Sequence, residues 1–297
     1  MDAVNKKNDT ILKTILRFYI DNIERFEVYY IKRKNISYWL LQNGKVNDMN
    51  QENILRGDPA ALYYHPKARP ARKIKQKRDP YDGLRPWSAI THGAGAVLAA
   101  MGTAVLVARC LLEELSVWHL ISFLIYGISM VGLYTASTLY HCINTSVAGR
   151  IALRKYDHAS IYFLIAGSYT PVCLVALREL GGWGWSLFGV IWGFALAGLV
   201  LTLVWISAPR WLTSSIYIAM GWLAVIALVP LMQVLPPIGM FWVLGGGVLY
   251  TVGGVLYAVK WPGRNNPKFG CHEIFHLFIL AGSLFHFMLM EQVIAAL

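Results

Sequence analysis

The chain has 297 residues, of which 56% are hydrophobic and only 14% charged, with 27 Lys/Arg against 16 Asp/Glu and a net charge of +11. Soluble domains carry about 25% charged residues, so this composition argues against a single soluble globule. The charge is also unevenly spread: residues 1–86 hold 18 Lys/Arg and 10 Asp/Glu, whereas the other 211 residues hold only 15 charged side chains. That distribution predicts a basic extension over 1–86 joined to an all-α integral membrane domain over 87–297.

In chain order, Ile11, Leu12, Ile15, Leu16 and Ile20 recur at helical spacing with Lys13 and Arg17 between them, which suggests an amphipathic surface helix. From Arg56 to Pro86 the chain reads as a basic, proline-bearing linker. The expected role of this extension is that of a solvated arm against anionic lipid headgroups. No nucleic-acid recognition motif accompanies the charge, so nucleic acid is not expected as a partner. Seven apolar stretches follow, at 88–109, 117–140, 157–177, 184–206, 213–235, 239–259 and 272–295. Each is long enough for an α-helix to cross about 30 Å of hydrocarbon. Trp87, Trp118, Trp183, Trp185, Trp211 and Trp261 sit near their ends, as an interfacial aromatic belt requires. The expected architecture is a seven-transmembrane-helix bundle in the cell membrane. Placing the N-terminus in the cytoplasm puts 25 of the 27 Lys/Arg on the inner side and only Arg109 and Arg178 outside. Lys/Arg excess marks the cytoplasmic face, so the C-terminus is expected outside.

The four cysteines show no CxxC or zinc-finger spacing. A bond between Cys110 and Cys173 is conceivable because both fall near outer helix ends. Cys142 and Cys271 adjoin histidines but read better as small packing residues. Ionisable groups inside a membrane are costly and point to function. Ser137 and His141 close the second stretch, Asp157 opens the third, and His272 and His276 open the seventh, so three helices bring these groups to one depth on the inner side. His272 and His276 are four apart and share a helix face. With His141 they would supply three imidazoles to one ion and leave a fourth position open, the pattern of catalytic Zn2+. Asp157 would then orient a water or take its proton, and Ser137 would hydrogen-bond a ligand or a substrate oxygen.

Among the other histidines, His92 lies near the inner side and reads as a buried hydrogen-bonding residue, with a place on the site's lining as the alternative, and His158 reads as facing away from the site. His286 lies about 21 Å beyond His272 along the helix, too far to share an ion, and reads as a polar packing residue. His65 and His119 read as peripheral. "HEIFH" (272–276) also fits the HExxH metalloprotease helix, with Glu273 as base, but only Glu291 follows as a further acidic ligand and it lies near the outer face.

Four blocks, "SAITHGAGAVLA" (88–99), "STLYH" (137–141), "KYDHASIYFLIAGSYTP" (155–171) and "HEIFHLFILAGSLFHF" (272–287), resemble the hemolysin III family, which belongs with the progestin and adipoQ receptors and more distantly with the alkaline ceramidases. The resemblance spans 85–297. It implies a seven-helix fold with an intracellular N-terminus, a zinc site on His141, His272 and His276, and Ser137 and Asp157 as companions. It departs at two points. The long extension has no counterpart in short bacterial members, and "DGLRPWS" (82–88) replaces the acidic and Asn positions often found before the "THxxG" block, which leaves that end without an assigned role. The resulting expectation is a zinc-dependent hydrolase acting on a lipid amide or ester from the cytoplasmic leaflet. The alternatives are a receptor or lipid-binding protein with structural zinc, a cytolytic or pore-forming hemolysin, and an intramembrane metalloprotease.

Overall fold

The computed structural model describes residues 84–264, 266 and 268–297. The amphipathic helix expected over Ile11–Ile20, the linker up to residue 83 and His65 lie outside these residues. The described part is helical and contains seven helical spans long and apolar enough to cross a membrane. They are α1 (Pro86–Leu112), α2 (Val117–Cys142), α3 (Val147–Pro171, continued by a π turn over Val172–Ala176) and α4 (Trp183–Val204). Next come α5 (Arg210–Gly221), a 3-10 segment (Trp222–Ala227) and the short α6 (Leu228–Val234), which together form the fifth span, then α7 (Pro237–Val259) and α8 (Cys271–Gln292).

Consecutive helices pack side by side from α1 to α4, α5 and α8 both lie against α7, and α8 returns to α1. Two ion pairs hold that last seam at its opposite ends: Arg85 with Glu273 at 2.6 Å, and Arg109 with Glu291 at 3.2 Å. The third span is central, with 78% of its most apolar window buried against at most 50% for any other span. A helix surrounded by helices rather than lipid can carry polar residues, and α3 carries Asp157, Ser160, Ser168 and Thr170, all buried. Small residues permit the close approach: a methyl group on Gly198 of α4 would meet the Tyr162 ring of α3 at 2.2 Å, and one on Gly167 would meet the Ser129 hydroxyl at 2.1 Å.

Two sequence expectations change. The third helix begins at Val147, not at Asp157, and Ser146 caps it by accepting from the Gly149 N–H at 3.2 Å. Arg150, Arg154 and Lys155 broke the apolar run without breaking the helix, because long basic side chains are good helix formers that reach from a helix end toward polar surroundings. Asp157 therefore lies about 15 Å inside the helix. The conceivable Cys110–Cys173 bond is not formed: all four cysteines are free thiols, and Cys110, Cys173 and Cys271 are buried.

The fifth span leaves α-helical geometry between Trp222 and Ala227. Backbone groups freed there must find partners within the protein, because hydrocarbon offers none. Tyr169 of α3 supplies them: its hydroxyl donates to the Gly221 carbonyl at 2.5 Å and accepts from the Ala224 N–H at 2.8 Å. Replacing Tyr169 by Phe removes both bonds and is expected to destabilise the protein by roughly 1–3 kcal/mol, read as a lowered unfolding midpoint in detergent.

Candidate metal centre

The site forms where the C-terminus of α2 meets the N-terminus of α8. His141 is the penultimate residue of α2, and His272 and His276 stand at the second and sixth positions of α8. All three are buried. Their ring centroids are 4.8 Å (His141–His272), 5.3 Å (His141–His276) and 4.7 Å (His272–His276) apart. One nitrogen from each lies within 4.8 Å of the others, and the Nε2 atoms of His141 and His272 face each other at 3.1 Å. Tetrahedral zinc, with bonds of about 2.0–2.1 Å, sets its nitrogen ligands about 3.3–3.4 Å apart. The His141–His272 pair is close to that spacing, the third nitrogen lies within 4.8 Å of both, and neutral imidazoles suit the metal. His276 is oriented for such a role. Its Nδ1 lies 3.3 Å from the Ser88 carbonyl oxygen, which can only accept, so Nδ1 carries the hydrogen and Nε2 presents its lone pair. These three histidines could hold a metal ion.

Ser137 and Asp157 are buried and line the same cavity as His272 and His276. The cavity holds about 160 Å³, many times what one water needs. It runs between α2, α3, the fifth span, α7 and α8, and its walls are mainly apolar, among them Leu164, Ile165, Val172, Leu231, Val243 and Leu289. Asp157 is not a member of the three-histidine group. Its Oδ2 instead lies 3.1 Å from His158 Nδ1.

Three further residues, none of them among the predicted site residues, belong to this neighbourhood. His158 was expected to face away, but its ring reaches back to the adjacent carboxylate and also lines the cavity. Of the two readings of His92, hydrogen-bonding packing residue or site-lining residue, its place on the cavity wall favours the second. It is 3% exposed, neither ring nitrogen has a hydrogen-bond partner among the described residues, and its ring stacks on His276 with centroids 3.5 Å apart and planes 9° from parallel. Arg85, from the segment left without a role, donates Nε–H and an Nη2–H to the two oxygens of Glu273, both at 2.6 Å. Glu273 also accepts from the Ser88 hydroxyl at 3.0 Å and the Gly270 N–H at 2.8 Å. A carboxylate so engaged is not a free base, which removes the geometric support for the metalloprotease reading. The signal for Arg85 was Glu273 itself, since a carboxylate buried in a membrane helix needs a cationic partner. For His92 the signal was its spacing of four from Ser88. His119, read as peripheral, is a buried linker at the other end of the bundle, with Nδ1 2.8 Å from Ser116 Oγ and Nε2 3.1 Å from the Ile294 carbonyl. His286 lies on the cavity wall and stacks on Tyr250.

The haemolysin-III related family model matches residues 86–287. This chain belongs to the haemolysin-III related family. Hemolysin-3 of Bacillus cereus is 36% identical over 200 residues, covering 67% of this chain and 87% of that protein. The Hemolysin-3 homolog of Bacillus subtilis (strain 168) is 38% identical over 196 residues, covering 66% and 87%. The human monocyte to macrophage differentiation factor is 24% identical over 225 residues, covering 72% and 89%. Family membership and the seven spans together make this a multi-pass membrane protein. The haemolysin-III match takes in Ser137, His141, Asp157, His272 and His276 and begins one residue after Arg85.

His92 breaks no protein hydrogen bond when replaced. His92→Phe keeps an aromatic ring against His276 and is expected to leave unfolding in detergent within about 1 kcal/mol of the wild type, whereas His276→Phe, which loses the Ser88 bond, is expected to cost more.

Proposed function

We propose that the protein is a zinc-dependent membrane hydrolase that cleaves an amide or ester bond of a lipid from the cytoplasmic leaflet. One observation carries the reading: two members of a buried three-histidine cluster line, together with Asp157 and Ser137, a mainly apolar cavity inside a membrane bundle. The cytoplasmic side is part of this proposal, supported by the Lys/Arg excess in the segments that adjoin these helix ends. A metal that only tied helices together would need neither an adjoining carboxylate nor a cavity.

His141, His272 and His276 would hold the ion. When bound, zinc supplies Lewis-acid polarisation of a carbonyl and lowers the pKa of water. The apolar walls take the acyl chain and exclude bulk water, which leaves the scissile carbonyl as the polar group that must find partners at the histidine end. Ser137 donates a hydrogen bond to its oxygen. Asp157, held by His158, takes a proton from the attacking water and returns it to the leaving amine or alcohol as the carbon–nitrogen or carbon–oxygen bond breaks. His92, with two ring nitrogens free of protein partners, meets the polar atoms next to the cleaved bond.

Metal analysis of purified protein is expected to give about one zinc per chain, lost when His141, His272 and His276 are all changed to Ala. Incubation with ceramides and lysolipids followed by mass spectrometry is expected to show a released fatty acid. Asp157→Ala should retain zinc and lose about 10²–10⁴-fold in turnover. Saturable lipid binding with no product would favour a receptor instead, and full turnover by Asp157→Ala would remove its assigned role.

A further inference from the structure

The start of α1 touches both metal-bearing helices, although among the described residues it supplies none of the three-histidine group. The Arg85 N–H donates to the His141 carbonyl at 3.1 Å. Its guanidinium grips both oxygens of Glu273, the residue after His272, and the Ser88 hydroxyl joins the same carboxylate. The Ser88 carbonyl faces His276 Nδ1, and one turn later His92 stacks on the His276 ring. Residues 85, 88 and 92 follow the three- and four-residue spacing of one helix face. That face thus meets the backbone of one histidine, the ring of a second and the neighbour of the third. Arg85 and Glu273 are only 5% and 0% exposed, and a two-pronged guanidinium–carboxylate pair in such a place defines a single geometry.

We propose that Arg85, through Glu273 and Ser88, is a positioning residue for the metal centre. Its ion pair latches α1 onto the N-terminus of α8 so that the nitrogens of His141, His272 and His276 are held together before the ion arrives. Glu273 in the HExxH-like run is the receiving half of this latch and takes no part in proton transfer. The inference rests on the metal reading above. It adds that metal affinity is set in part by residues that never touch the ion, an effect that reaches 10–100-fold where groups holding the ligands are removed.

The seam between α1 and α8 supplies its own control. Arg109 pairs with Glu113 and Glu291 and bonds the Glu291 carbonyl at the far end of the same two helices, about 36 Å along α1 from Arg85. Wild type, Arg85→Met, Arg85→Lys, Glu273→Gln and Arg109→Met are purified in detergent, and zinc affinity is measured by competition with a chromogenic chelator at a temperature where every apo form is folded by circular dichroism. Cobalt-substituted samples report ligand geometry through their visible absorption.

Arg85→Met and Glu273→Gln are expected to bind zinc 10–100-fold more weakly, with a broadened or shifted cobalt band. Arg85→Lys, which keeps the charge but not the fork, should fall between them and wild type. Arg109→Met should bind zinc like wild type even if its unfolding midpoint drops. Equal zinc affinity in wild type and Arg85→Met overturns the latch, as does an equal loss in Arg109→Met. Should Arg85→Met fail to fold, Arg85→Lys and Glu273→Gln decide by the same measure. A wild type that binds no zinc is a different result, because it removes the metal reading itself.

Discussion

Inside hydrocarbon no water stands ready to accept or donate a hydrogen bond, so each polar group placed there must be met by another part of the protein. Much of this bundle follows from that constraint. It accounts for Tyr169 bonding the irregular backbone at Gly221 and Ala224, and for the Tyr134 hydroxyl donating to Ser283 Oγ at 2.6 Å while Tyr250 approaches the same atom at 2.9 Å. It accounts for the buried Arg85–Glu273 ion pair at one end of the α1–α8 seam. It also makes the unmet groups informative. His92 leaves two ring nitrogens and His272 one without a protein partner, and both residues line the cavity. Unpartnered nitrogens of His92 and His272 on the cavity wall leave hydrogen-bonding or ligating capacity there that the described residues do not use.

The seven spans were legible because charge is excluded from lipid-facing helix, and gaps between charges therefore measure helices. The same rule failed at the start of α3, because Arg150, Arg154 and Lys155 belong to the helix without belonging to its apolar stretch. The Arg150 guanidinium sits over the Tyr140 ring at 4.3 Å and bonds the Tyr140 carbonyl. The first turns of α3 thus rest on the end of α2, a contact that hydropathy does not encode. Ser137, His141, His272 and His276 were legible for a different reason: spacing by four puts side chains on one face whatever surrounds the helix.

What stayed hidden is equally physical. His158 follows Asp157 directly, and adjacent residues diverge by about 100° on a helix, which argued for separation. The imidazole is long enough to turn back to the carboxylate, so the angle between two Cβ atoms did not decide where the nitrogen went. Arg85 was masked by company, as the last of 18 Lys/Arg in the charged first 86 residues. Its partner lies 188 residues away, and no local pattern separates a cation that will be buried from its solvated neighbours.

The placement of the histidines at helix ends carries a physical consequence of its own. Ligands in the middle of two long packed helices would be located by the whole helix–helix interface. Near the last residue of α2 and the second residue of α8 the backbone has fewer helical bonds to hold it, and helix ends fray. A centre built there needs an added restraint, and α1 is positioned to supply it, starting beside that junction and packing along both α2 and α8. Glu273 at the third position of α8 also satisfies the Gly270 N–H, as the acidic member of a capping box does. The same carboxylate therefore stops the end of α8 from fraying and ties it to Arg85. That double use gives a physical reason for an acidic residue between two histidines in a membrane helix, where its charge would otherwise be costly.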